Sequence, residues 1–322
     1  MLNLYVSNTM SPLHGIQFFT QANDRIVNDL PFSVELHQHT KPLKIEQEPI
    51  WSLHDQGERY STLVNIYECN DKHVLNIECE GKGQFIFDES SLSIYWQDDG
   101  TSFEHYLQTF GASLFLELNG VPCIHANALE KDGEAILLIA PSRMGKSSLS
   151  AALVANGHTL LTDDMVALYH NSEFGFYTFP SWSKLRLWPD SSNSMLSHVD
   201  VKSKKAVHSR FSKTEIMVHS NVNPNKPVKI RRAYLLNRIQ NDGIDYEVDI
   251  KSIAPSKAAI ITMQNSMLAD AYRALGTEAN RLTSLAKYIE TIPFYRVNYK
   301  SGFDIIGTVA QKISEHNFDI KE

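Results

Sequence analysis

The first hundred residues fall into short apolar runs cut by polar turn-formers. Leu63-Val64-Asn65-Ile66-Tyr67, Val74-Leu75-Asn76-Ile77, Phe85-Ile86-Phe87 and Leu92-Ser93-Ile94-Tyr95-Trp96 are rich in β-branched and aromatic side chains, which suit strands. Asn70-Asp71, Gly81-Lys82-Gly83 and Asp98-Asp99-Gly100 separate them with turn chemistry. The pattern predicts an antiparallel meander of hairpins. The period then changes. Phe103, Tyr106, Leu107, Phe110, Leu114 and Leu118 recur at three- and four-residue intervals, with Gly120 placed to cap a helix. That helix is expected to dock the meander onto the rest of the chain.

From residue 121 the pattern tightens. Strands are expected over 124–128 and 135–139, turning at Lys131-Asp132-Gly133, then a helix over 147–156 capped by Gly157 and a strand over 159–162. An aromatic, basic segment covers 177–188, and the serine-rich stretch 191–220 reads as a loop. A strand at 232–236, helices over 256–275 and 278–288, a strand at 294–298 and a last helix over 303–313 complete the series. Phe174, Phe176 and Phe179 alternate as core residues do. The fold class is α/β, mixed α+β. The expected division is a β-rich N-terminal domain (1–100), a connecting helix (101–120) and a domain over 121–322.

The chemistry concentrates where Ile136-Leu137-Leu138-Ile139 runs into Ala140, Pro141, Ser142, Arg143, Met144, Gly145, Lys146, Ser147 and Ser148 and then a helix. This is the strand-loop-helix setting of a phosphate-binding loop. Gly145 lets backbone N–H groups approach phosphate oxygens, Lys146 supplies a point charge, and the Ser147 hydroxyl suits Mg²⁺. The helix adds its positive end. Ala140 stands where the motif G-x-x-x-x-G-K-[ST] has its first glycine. Seventeen residues after Lys146, Asp163-Asp164 follows Leu160-Leu161-Thr162 at a strand's carboxyl end, where ligands of α/β sheets gather. Paired carboxylates there suit two jobs, holding Mg²⁺ and taking a proton from an attacking hydroxyl. Adjacent strand residues point to opposite faces, so one aspartate is expected to face the ligand more squarely. His125, fifteen residues before Ala140, lies on the strand expected beside the loop's own, where a core role fits as well as a catalytic one.

Charge sharpens this picture. The 322 residues carry 30 Lys and Arg against 37 Asp and Glu, a net charge of −7, so no global basic field draws the chain to nucleic acid. Phosphate has to be held locally. Cys69, Cys79 and Cys123 form no C-x-x-C pair and read as free thiols. Met1 to Ser11 shows no basic segment leading into an apolar one, and no apolar run reaches spanning length, so neither signal peptide nor membrane association is expected and cytoplasm is the expected location.

Together His125, the β-turn-β, the loop from Ala140 to Ser147, Ala-Leu-Val-Ala-Asn-Gly-His at 152–158 and Leu161-Thr162-Asp163-Asp164 resemble HPr kinase/phosphorylase, and more closely its HPr-kinase-related relatives. Lys184-Leu185-Arg186-Leu187-Trp188-Pro189-Asp190 and Ile292-Pro293-Phe294-Tyr295-Arg296-Val297 are weaker echoes. The resemblance is firm over 115–170, loose over 171–315 and thin before that. It implies a phosphoenolpyruvate-carboxykinase-like P-loop kinase core that uses ATP and Mg²⁺. By that analogy Asp163 is the base, Asp164 and Ser147 hold Mg²⁺, Lys146 stabilises the transferring phosphoryl group, and His125 sits beside the phosphates. Arg210 is read as an arginine that completes the site. Ala140 and Arg143 replace family glycines, and the glycine-rich segment tied to phosphorolysis is missing. This favours a specialised serine kinase acting on a peptide or small protein, as in lasso peptide precursor kinases, over a bifunctional regulator. A non-catalytic nucleotide-binding module and a kinase of a small-molecule hydroxyl remain open, as does a homo-oligomer.

Overall fold

The apolar runs of the N-terminal region become β1 (Ile16–Phe19), β2 (Phe32–Gln38), β3 (Trp51–Gln56), β4 (Ser61–Cys69), β5 (Lys72–Glu78), β6 (Lys82–Phe87) and β7 (Ser91–Gln97). In this computed structural model, residues 10–20, 29–56, 61–79, 81–88, 90–99, 101–141, 144–187, 201–208, 211–218, 222–239, 247–268 and 270–318 are described. The strands form one sheet in the order β1-β2-β7-β6-β5-β4-β3. β3 to β7 make the expected antiparallel meander, while β1 and β2 add in parallel beyond β7. Alternation decides the buried face: Leu92 and Ile94 of β7 are buried while Ser91 and Ser93, which alternate with them, are half-buried.

The helix expected over 103–118 is interrupted. It runs as α1 (Phe103–Tyr106), a π-helical turn (Leu107–Gly111) and α2 (Ala112–Leu118). Leu107, Leu114 and Phe115 pack on the meander, and the wider turn buries the polar Gln108 and Thr109 as well. The same apolar cluster continues into Cys123, Met165, Tyr169, Phe179, Leu268 and Tyr272, so meander and later chain share a core.

Beyond residue 121 come β8 (Cys123–Ile124), β9 (Ala126–Lys131), β10 (Glu134–Ile139), α3 (Lys146–Ala155), β11 (Thr159–Thr162), β12 (Val166–Ala167), β13 (Tyr169–Asn171), β14 (Gly175–Thr178) and β15 (Lys184–Leu187). They are followed by β16 (Val201–His208), β17 (Phe211–Val218), β18 (Val228–Ile239), β19 (Val248–Ser252), α4 (Pro255–Gln264), α5 (Ala271–Ala274), α6 (Glu278–Thr291), β20 (Phe294–Lys300) and α7 (Phe303–Phe318). β10 is central, antiparallel to β9 and parallel to β18, which is why its sequence is almost wholly apolar. Its faces alternate. Ile136 and Leu138 pack with Leu149 and Leu153 of α3 and Val309 of α7; Ala135, Leu137 and Ile139 pack with Ile261 of α4 and Leu285 and Tyr288 of α6. The result is a mixed sheet between two helical layers, a mixed α/β architecture. Among the described residues no helix is long and apolar enough to cross a membrane.

Further expectations are corrected. The strand expected over 124–128 breaks at His125, whose N–H donates to the Asn265 carbonyl (2.6 Å), so β8 pairs with β12 while β9 joins the main sheet. The helix expected over 256–275 is two helices, Pro255–Gln264 and Ala271–Ala274, and Asn265 just past the first supplies this carbonyl. Within the serine-rich stretch read as a loop, β16 and β17 form a hairpin on β15, held by ladder bonds its own composition did not announce. Phe176 and Phe179 are core residues as expected, whereas Phe174 is 39% exposed.

One buried ion pair bolts the connecting helix to the later chain. Glu117 of α2 accepts from Arg281 Nε of α6 (3.1 Å) and from the Cys123 N–H (2.7 Å), and the Arg281 guanidinium lies over the Tyr272 ring. Burial pushes the Glu117 carboxyl above its ordinary value of 4.5, against the opposing pull of Arg281. Arg281→Ala is expected to cost about 3–5 kcal/mol, because it leaves a buried charge uncompensated. The folded form would then bind the proton more readily than the unfolded form. The loss is therefore full above the raised folded pKa and shrinks as pH falls toward 4.5. Urea denaturation of both chains across pH 4 to 8 (about the range where carboxylates and histidines titrate) checks this; a pH-independent loss contradicts it.

Candidate active site

The hairpin that builds the site turns as its sequence demands. Asp132 (φ 55°) and Gly133 (φ 84°) take left-handed conformations, and Lys131 pairs with Glu134. β10 then delivers the chain to Ala140, which is fully buried in the core cluster with Leu138 and Leu149. Alanine in place of the motif's first glycine therefore serves packing. Pro141 is exposed, and the Met144 N–H donates to its carbonyl at 3.4 Å. Ser142 and Arg143 lie outside the described residues, as do Trp188 and Arg210.

Gly145 caps α3 with φ 93°, a left-handed conformation that reverses the chain and aims the first turn's N–H groups into the loop. Tyr299 of β20 supports this corner by donating its hydroxyl to the Met144 carbonyl (3.0 Å), and burial pushes its phenol up to about 12, which keeps it a donor. Lys146 is buried at the head of α3 and donates from Nζ to the Ala140 carbonyl (2.7 Å), spanning the loop. Ser147 and Ser148 follow, half-buried, on the first turn.

Asp163 and Asp164 close the other side. They stand just past β11, and Asp164 has φ 68°, so they do not alternate across a strand as expected. Both turn toward Arg186 of β15. Asp163 is 1% exposed; its Oδ1 accepts from Ser147 Oγ (3.1 Å) and its Oδ2 from the Arg186 N–H (2.9 Å). Asp164 Oδ2 faces Arg186 Nη1 (3.3 Å), and its Oδ1 lies 3.7 Å from His125 Nε2. Asn127 holds the turn, accepting from the Asp164 N–H (3.1 Å) while donating to Ser150 of α3 (2.8 Å). Thus His125, Lys146, Ser147, Asp163 and Asp164 are brought together from separate parts of the chain.

Sequence reasoning assigned no role at the aspartates to the groups that organise these. Arg186, 4% exposed, also donates from Nη2 to Gln108 Oε1 (2.9 Å) and lies 3.9 Å by Nε from Glu215, which pairs with Lys184 (3.1 Å). Asn127 did carry a signal, being a polar residue between two alanines in a buried strand, where an unpaired amide would be costly. Arg186 stands in the segment that echoes the related kinases, but nothing local announces its place between the aspartates, and Gln108 carried no signal, since the partners of both are remote in sequence.

The donor set fits a nucleotide phosphate with a divalent cation. Loop N–H groups and Lys146 suit phosphate oxygens. Ser147, with its hydrogen committed to Asp163, presents oxygen lone pairs beside that carboxylate, and Asp164 follows in the next turn; these are the hard donors Mg²⁺ takes.

No family model and no curated protein matches the chain. Among solved structures it is similar to the HPr(Ser) kinase/phosphatase from Coxiella burnetii, at 14% identity over 62% of this chain and 99% of that one, with a TM-score of 0.31. At that identity and score the likeness carries no argument about activity.

Gly145→Ala is expected to cost about 1–2 kcal/mol, because an L-residue is strained in the left-handed region. Its Cβ would also stand 3.3 Å from the Tyr299 hydroxyl. Thermal or urea unfolding measures the loss; wild-type stability contradicts the assigned loop geometry.

Proposed function

We propose that the chain is a phosphotransferase, an ATP- and Mg²⁺-dependent kinase that moves the γ-phosphoryl group to a serine hydroxyl of a peptide or small protein. One observation carries this reading. The Ser147 hydroxyl, one residue past Lys146 and a left-handed Gly145 at a helix N-terminus, is hydrogen-bonded to the buried carboxylate of Asp163. The motif-level resemblance to HPr-kinase-related kinases supports it and supplies the acceptor class.

The roles follow from the donors. The loop N–H groups and the start of α3 bind phosphate oxygens, and Lys146 transfers its ammonium from the Ala140 carbonyl to them. Mg²⁺, held by Ser147 and Asp164, would supply charge neutralisation at the transferring group. Asp163 accepts the proton of the acceptor hydroxyl as that oxygen bonds to the γ-phosphorus and the bond from phosphorus to the ADP oxygen breaks. His125 faces Asp164 and the phosphate side. Arg210 and Arg143 belong to the proposal as further cations for the phosphates.

Local charge supports the metal requirement. Among the described residues Lys146, Lys184 and Arg186 stand against Asp163, Asp164 and Glu215, so a polyphosphate entering this balanced set calls for additional cations, the metal together with Arg143 and Arg210.

Asp163→Asn tests the reading without dismantling the site. The amide oxygen can keep the Arg186 N–H, and the Ser147 hydroxyl can reverse to accept from the amide nitrogen. Transfer of label from γ-labelled ATP is expected to fall about 10²- to 10⁴-fold, the usual worth of a general base, with nucleotide affinity nearly unchanged. A variant that transfers at the wild-type rate sinks the assignment. Acceptor peptides should lose labelling when their serine is replaced by alanine.

A further inference from the structure

Gln108 belongs to the connecting helix, outside both the loop and the aspartate pair, yet it is 1% exposed and touches the centre of the site. We propose that Gln108 is a positioning residue for the carboxylate pair, acting through Arg186. Its catalytic consequence rests on the kinase reading; the contact itself does not.

The π turn is what puts it there. The residues of this turn are buried on both its apolar and its polar sides, Leu107 into the meander core and Gln108 toward β15. Such widened turns are rare and recur at functional sites. Gln108 Oε1 accepts from Arg186 Nη2 (2.9 Å), and Nε2 donates to Ser181 Oγ (3.1 Å). The Ser181 N–H in turn donates to the Leu161 carbonyl (2.8 Å) on β11, two residues before Asp163. Gln108 therefore grips the guanidinium and, through Ser181, the strand that carries the aspartates.

A buried guanidinium must find hydrogen-bond acceptors, and Arg186 has two carboxylates within reach. Asp164 Oδ2 stands 3.3 Å from Nη1 and Glu215 Oε2 stands 3.9 Å from Nε, and among the described residues Nε has no hydrogen-bond partner. The fork is planar, so fixing Nη2 fixes where Nη1 points. With Gln108 in place that direction is Asp164. Without it, the fork is free to turn its unpartnered Nε edge toward Glu215 and release Asp164. The connecting helix thereby supplies part of the site's geometry.

The test compares Gln108→Leu, which keeps volume and removes the acceptor, with Gln108→Glu, which keeps the acceptor. In Gln108→Leu, kcat per folded molecule is expected to fall about 10- to 100-fold, the usual cost of losing a group that orients a ligand-bearing side chain, with KM for ATP little changed. Gln108→Glu is expected to recover most of that loss. Nitrogen NMR of the Arg186 guanidinium gives a readout independent of activity. Two separate Nη signals, from hindered rotation, are expected in wild type and Gln108→Glu, and one averaged signal in Gln108→Leu. Free rotation in wild type, a wild-type kcat in Gln108→Leu, or equal losses in both variants overturns the proposal. A wild-type chain that moves no phosphate while its guanidinium is locked overturns the kinase reading and the catalytic role of Gln108 with it, and leaves the clamp standing.

Discussion

Two neighbouring carboxylates, one of them almost wholly buried, can face the start of α3 only if a cation lies among them. Arg186 is that cation. It meets Asp163 through its backbone N–H and Asp164 through its side chain, and its own burial is made tolerable by Gln108 and by the nearby Glu215. Much of the surrounding architecture can be understood as the means of bringing that one guanidinium to the carboxyl end of β11. β15 carries it, β17 pairs with β15 and brings Glu215, and the π turn brings Gln108.

The loop opposite is built by a different constraint. β10 must be apolar on both faces because helices cover both, and it delivers the chain to Ala140 at the base of α3. Ala140 remains in the core, Gly145 takes the left-handed corner, and Tyr299 braces the carbonyl before it. Lys146 and Ser147 are placed by helix geometry alone once that corner is set. Ser147 then links the two halves, since its hydroxyl reaches Asp163.

What was legible in the sequence is what local pattern determines. The meander strands, β10, α3 and β11 announce themselves by apolar period and by Gly133, Gly145 and Gly157, and the loop and aspartate pair stand out within them. What was hidden depends on remote partners. His125 leaves its expected strand because of a carbonyl at Asn265, and the β16 and β17 hairpin, which looked like a serine-rich loop, is held by its ladder with β15. The break at the π turn buries a glutamine whose partner lies 78 residues away. Asp164 departs from strand alternation because Asn127 holds its backbone in a left-handed turn. In each case a polar group met a partner that no helix or strand period encodes.

The central claim is that loop and clamped carboxylates together bind a nucleotide triphosphate through a metal. Calorimetric titration of the full chain with ATP, with and without Mg²⁺, and of Lys146→Met in parallel, tests it most directly. Saturable binding that requires Mg²⁺ and is lost in Lys146→Met is the expected result. Absence of binding under both conditions, or binding indifferent to both the metal and Lys146, contradicts the account.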